Sequence, residues 1–157
     1  MNVFSTAILI VFCSMLGSGD KNFKSLYKSC ANTALCGGYG SMTQDPNVTI
    51  RIYVSCCEGK NCNTNRFYIP TENSTLNGLK CPSAYCENTT GACDGDLKMM
   101  ACRGSETQCV DFRGRVKDPN DYQDDYCIKA CINPLGCREN FKSLIGVQEI
   151  KKVKLEC

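Results

Sequence analysis

The stretch VSCCEGKNCNTN, residues 54–65, sets Cys56 and Cys57 side by side, places Cys62 five positions on, and follows it at once with Asn63. Cysteines this close admit three chemistries: a metal knot, a redox couple or a stapled loop. A structural zinc site wants paired Cys-x-x-Cys or Cys/His sets held as thiolates. Thioredoxin-like redox catalysts use Cys-x-x-Cys. The chain has no histidine, and no two of its cysteines stand at that spacing. Ser/His and Cys/His hydrolytic pairs are excluded by the same lack of histidine. The acids Asp121, Asp124 and Asp125 read as a solvated face rather than a calcium loop. The expectation is a binding protein, not an enzyme, with no catalytic residue, metal or cofactor.

The third chemistry needs an oxidising compartment, and the N-terminus points to one. MNVFSTAILIVFCSMLGSGD has an uncharged apolar run from Val3 to Leu16, then Gly17 and Gly19 before Asp20. This reads as a secretory signal peptide over residues 1–19, since the run is shorter than the ~20 residues a spanning helix needs. Its removal would take Cys13 and leave fourteen of the 15 cysteines, an even number. Thiols on the secretory path become disulfides. Three glycosylation sequons fit the same route, at Asn47, Asn73 and Asn88. The formal net charge of +2 implies no strong field for nucleic acid or anionic membrane. No apolar tail follows Cys157, so no membrane anchor is expected. The chain reads as a secreted, extracellular, soluble glycoprotein.

Working outward from Cys56, a repeat appears. Residues 30–56 and residues 131–157 both run Cys, five residues, Cys, nineteen residues, Cys, with little identity in between. Two copies of one disulfide-bound unit are implied. The second copy has six cysteines ahead of Cys131, whereas the first has only the ten residues Asp20–Ser29 after the leader. The expected division is a partial unit over residues 20–65 that lacks its front half, a linker over 66–79, and a complete second unit over 80–157. The linker holds an apolar knot, Phe67, Tyr68, Ile69 and Pro70, which is the candidate partner contact; its packing between the two units is the stronger alternative.

Local patterns are those of strands. NVTIRIYVSC alternates Val48, Ile50, Ile52 and Val54 against Thr49, Arg51, Tyr53 and Ser55, the period of a half-buried strand. Val153, Leu155 and Cys157 repeat that alternation. QCVDFRG, residues 108–114, predicts another strand that breaks at Gly114. GGYG (37–40), QDPN (44–47) and KDPND (117–121) are turn signals. No run of ten or more residues carries a helical period. The fold class expected is all-β and disulfide-rich.

Cys-Cys, four residues, then Cys-Asn resembles the closing motif of the Ly-6/urokinase-receptor superfamily, the three-finger fold. "LKCPSAYC" (79–86) is similar to the opening of such a domain. The resemblance implies tandem three-finger domains, the first incomplete, and the disulfides Cys36–Cys56, Cys57–Cys62, Cys81–Cys109, Cys86–Cys93, Cys102–Cys131 and Cys137–Cys157. Cys30 and Cys127 stay unassigned. They pair with each other, bond to a second chain, remain free, or Cys127 displaces Cys131 as the partner of Cys102. Within the superfamily, Cys102, Gly104, Cys109 and Gly114 resemble the second domain of the gamma-type phospholipase A2 inhibitors. That resemblance implies a secreted protein that covers secretory phospholipase A2 sterically and self-associates into a homo-oligomer. Two other functions fit the same fold: a pheromone- or toxin-like signalling ligand, and a soluble relative of a lipid-anchored receptor. Partner choice would lie at finger tips near 42–47, 115–124 and 143–149.

Overall fold

The computed structural model describes residues 6–15, 22–30, 36–46, 48–59, 61–64, 73–89, 91–93, 95, 97–117, 123–138 and 149–157. Among the described residues there are nine strands: β1 (Thr6–Met15), β2 (Asn22–Cys30), β3 (Tyr39–Asp45), β4 (Val48–Cys57), β5 (Leu76–Glu87), β6 (Lys98–Arg103), β7 (Gln108–Lys117), β8 (Gln123–Ile132) and β9 (Glu149–Glu156). A 3₁₀ turn at Cys62–Thr64 and one short helix, α1 (Pro134–Arg138), complete the set.

β4 forms where the alternating run was read. Its β-branched Ile50, Ile52 and Val54 enter the core with Met42 of β3. Of the positions expected to face outward, Tyr53 is buried instead. Tyr39, opposite it on β3, stacks on its ring with centroids 4.7 Å apart. Of residues 44–47, Gln44 and Asp45 still belong to β3 and Pro46 turns, so that β3 and β4 form a hairpin with an irregularity between Thr43 and Asp45. Residues 37–40 turn only at the start, since Tyr39 already belongs to β3.

β8 is the hub of the sheet. One edge carries β7 along the whole strand, from Gln108 opposite Ile132 to Lys117 opposite Gln123. The other edge is shared, first by β5, with Cys86 opposite Cys127, and then by β3, with Met42 opposite Ile132. β7 also pairs β9, and β5 pairs β6. The strand order β2-β1-β4-β3-β8-β5-β6 therefore makes both cysteine repeats parts of one continuous sheet. The core is correspondingly shared: Met42, Ile50, Ile52 and Val54 pack with Val110, Phe112, Val116, Ile128, Ala130 and Ile132.

Gly114 does not end β7. The strand continues to Lys117, and its pairing with β9 shifts register between Arg113 and Gly114. A glycine at such a shift is the mark of a bulge rather than a stop. The connector read over 66–79 also reaches into the sheet, since β5 begins at Leu76. Gly78, with φ of +88°, lies where the β5–β6 pairing slips between Leu76 and Lys80. Asn77 Nδ2 donates to the carbonyls of Gly104 at 3.2 Å and Glu106 at 2.9 Å, clasping this entry segment to the β6–β7 turn.

The repeat is visible in strand register. β1 lies between β2 and β4, antiparallel to both, as β7 lies between β8 and β9. Ile8 faces Lys28 on one side and Ser55 on the other. Asp111 faces Lys129 and Glu156. Lys28 stands to Cys30 as Lys129 does to Cys131, and Ser55 to Cys56 as Glu156 does to Cys157. β1, which falls within the stretch read as a leader, thus holds in the first unit the place that β7 holds in the second.

Candidate functional site

Sulfur pins both cysteine repeats. Six disulfides join Cys36–Cys56, Cys57–Cys62, Cys81–Cys109, Cys86–Cys93, Cys102–Cys131 and Cys137–Cys157. Two of them cross in contact: the Cys102 and Cys81 sulfurs lie 3.3 Å apart, walled by Met100 and Leu79. The sulfurs of Cys81, Cys102 and Cys131 all lie within 4.8 Å of one another. Each is already bonded to another sulfur, so this cluster is an apolar plug and not a thiolate nest for a metal.

The two unassigned cysteines are far apart. Cys127 is a free cysteine, and it is fully buried. Cys30 lies on β2, with β1, β4 and β3 between it and β8. At ~4.8 Å per strand that is roughly 19 Å, while a disulfide needs Cα atoms within about 7 Å. Their strands stand four steps apart in the sheet order. Cys127 does not displace Cys131, since Cys131 holds Cys102.

The units are fastened by polar groups as well as by strands. Glu106, in the β6–β7 turn, is buried; its Oε1 accepts from the Ser41 hydroxyl and, at 2.8 Å, from the Thr43 hydroxyl of β3. Its Oε2 is buried with no hydrogen-bond partner among the described residues. Burial pushes the Glu106 carboxyl above its usual range, and the hydroxyls, the backbone at Arg103 and the charge of Arg51 only partly oppose this. Asn133, just past β8, accepts from Ser41 N at 3.2 Å and Gly136 N at 3.0 Å and donates to Tyr39 O at 2.6 Å. The Ser83 hydroxyl donates to Gln44 O. Met42 and Thr43, read as part of a finger tip, are instead buried at this joint because β8 pairs with them.

Several charges are paired internally. Asp111 contacts Lys154 at 2.9 Å, Arg113 at 3.3 Å and Lys129 at 3.7 Å, one cation from each strand of the β9–β7–β8 trio. Burial alone would raise the Asp111 carboxyl, but these cations outweigh it and hold it below the usual carboxylate range. Lys154 also meets Glu156 at 2.9 Å. In the acidic cluster, Asp125 takes a forked pair from Arg115 at 2.8 and 2.9 Å, and Asp124 is buried and accepts from Asp125 N. Asp121 lies outside the described residues.

Among the described residues, three of the four exposed large hydrophobics, Leu76, Leu97 and Met99, lie on the outer face of the β5–β6 hairpin, and the fourth, Tyr85, lies on β5 opposite Ile128. Met100 and Cys102 point inward, so Met99, Ala101 and Arg103 point out, opposite Pro82, Lys80 and Leu76. Met99 is 64 % exposed and Leu76 58 %, and Leu97, just ahead of β6, is 45 % exposed. The sequence reading missed this face, although Leu97-Lys98-Met99 carried the signal: apolar residues at the outward period beside lysine. Phe67, Tyr68, Ile69 and Pro70, the partner contact read from sequence, lie outside the described residues, as does Asn47. Asn73 and Asn88 are exposed; Asn73 Oδ1 accepts from Thr75 N at 2.9 Å, and Asn88 has φ of +59°.

Crossed disulfides at the base of paired hairpins, with an all-antiparallel sheet, define a disulfide-rich protein of the three-finger kind. The comparisons with known proteins give this class a more particular setting. The 31 kDa subunit of a phospholipase A2 inhibitor from Naja kaouthia is 26% identical over 137 residues, covering 87% of this chain and 71% of the relative. The phospholipase A2 inhibitor PIP of Malayopython reticulatus is 29% identical over 114 residues, 71% of this chain and 54% of its own length. The phospholipase A2 inhibitor gamma subunit A2 of Trimerodytes annularis is 30% identical over 120 residues, 71% of this chain and 60% of the relative. The chain spans only part of the length of each. No protein-family model matches the sequence. The homologues of this chain are thus phospholipase A2 inhibitors, gamma-type subunits among them.

Proposed function

We propose that this chain is a secreted, non-enzymatic protein that binds secretory phospholipase A2 and inhibits it by covering its surface. The observation that carries the reading is its similarity to phospholipase A2 inhibitors across most of its length. The β5–β6 face supplies the docking surface. Leu76, Leu97 and Met99 form its apolar part, with Lys80 and Arg103 beside them. Interface centres are enriched in Met, Arg and aromatic residues and owe most of their energy to a few anchors. The mechanism is steric, because disulfide-locked strands present a preformed surface and no group on it does covalent chemistry.

The test is binding of the secreted chain to purified secretory phospholipase A2, with inhibition of lipid hydrolysis measured in parallel. Binding at micromolar concentration or tighter is expected. The double variant Leu97→Asp, Met99→Asp leaves the core untouched and should weaken the complex by at least about 30-fold, roughly 2 kcal/mol. Absence of binding by the unaltered chain at micromolar concentration overturns the inhibitor reading. Unchanged affinity in the double variant overturns the choice of face.

A further inference from the structure

Cys127 is buried against a disulfide rather than among hydrocarbon alone. It forms one cluster with Cys93, Ala84 and Cys86, and Cys86–Cys93 is a bonded pair. Cys127 and Cys86 are direct cross-strand partners on β8 and β5. Opposed residues of an antiparallel pair point to the same side, with Cα atoms about 4.5–5.5 Å apart, inside the ~4.4–6.8 Å that a disulfide spans. The free thiol therefore lies directly across the strand pair from one half of an existing disulfide, in one buried cluster with it.

We propose that Cys86, Cys93 and Cys127 form an internal thiol–disulfide exchange site. The thiolate of Cys127 attacks Sγ of Cys86. The Cys86–Cys127 bond forms as the Cys86–Cys93 bond breaks, and Cys93 leaves as a thiolate that takes up the proton Cys127 gave up. One thiol and one disulfide stand on each side, so no oxidant or reductant is needed. Cys131, the other cysteine on β8, is four positions along the strand, ~13 Å away, so the Cys102–Cys131 bond lies out of reach of this thiol.

The two isomers differ in what they tie. Cys86–Cys93 closes the loop between β5 and β6, which carries Asn88 and ends at Leu97. Cys86–Cys127 staples β5 to β8 and frees that loop, with Cys93 as its thiol. Cys93 is buried while it is bonded, but its neighbours Gly91, Ala92 and Gly95 are exposed. Release of the bond thus delivers a thiol to solvent, where it becomes a covalent attachment point for an alkylating reagent or a disulfide-bearing partner.

The test alkylates the native, full secreted chain with N-ethylmaleimide at neutral pH, then quenches with acid, which stops exchange by removing thiolate. Peptides are mapped without reduction. The expected result is label on Cys93 together with a Cys86–Cys127 cross-linked peptide, both lost in Cys127→Ser. Label confined to Cys127, or no label with Cys86–Cys93 intact, overturns the proposal. A second variant covers misfolding of the first. In Cys93→Ser, Cys86 and Cys127 should be recovered as a disulfide from the secreted protein, and recovery of both as free thiols overturns the proposal equally.

Discussion

Glu106 accepts two hydroxyl hydrogen bonds on one oxygen and none on the other, inside the joint between the units. Its raised pKa fixes the sign of its effect. A carboxyl whose folded pKa exceeds its unfolded value stabilises the fold when protonated, and that contribution is lost as pH rises through the folded pKa. Glu106→Gln keeps an acceptor for Ser41 and Thr43 and removes the buried charge. The melting temperature of the variant minus that of the parent should therefore grow between pH 4 and pH 8; a constant or shrinking difference would contradict the assignment. Asp111 has the opposite sign. Its lowered pKa gives stability that is present above the unfolded value and lost as pH falls through the folded one, so the parent alone would show the two effects mixed. Gly104 is fixed by geometry: with φ of +49°, a Cβ there would sit 2.3 Å from the carbonyl oxygen of Asn73. Gly104→Ala should cost about 2 kcal/mol or more in denaturant titration, the loss arising where the β5 entry segment crosses the β6–β7 turn.

Among the elements, the disulfides differ in how much chain each one closes. By the loss of unfolded-chain entropy, a 28-residue separation such as Cys81–Cys109 is worth about 3.6 kcal/mol and a five-residue one such as Cys57–Cys62 about 2. Replacing the first pair with alanines should lower the denaturation midpoint more than replacing the second, by an amount equivalent to ~1.5 kcal/mol. The strands themselves were largely legible in the sequence. Val48, Ile50, Ile52 and Val54 announce β4 through their period, and QCVDFRG falls in β7. Gly114 misled because glycine marks a bulge as well as a stop, and only pairing with β9 distinguishes them. Tyr53 was read as outward because its stacking partner, Tyr39, sits on another strand. The docking face shows the same limit: period 2 says that Met99 and Met100 face opposite ways, and the crossed disulfides decide which of the two is covered.

For the whole molecule, joining through β3 and β8 means that the two cysteine repeats are not beads on a string. Asn133 answers for much of this joint, since one side chain serves Ser41, Gly136 and Tyr39. Asn133→Ala leaves two buried backbone amides, of Ser41 and Gly136, and the half-buried Tyr39 carbonyl without that partner, at about 1–3 kcal/mol for a buried polar group left unmet. Amide exchange should then quicken at Tyr39–Thr43 while β7 and β9 stay protected; uniform loss across the chain would place the effect elsewhere. The position of β1 carries a consequence for biosynthesis. If a protease cuts ahead of Asp20, it withdraws the middle plank of the first three-strand trio. Alternate amides of β4, those turned toward Thr6–Met15, would then be left without acceptors. The ribosomal product and the exported one would then differ in how β2 and β4 are paired, and the vacated lane would invite any extended chain able to run antiparallel to both its banks.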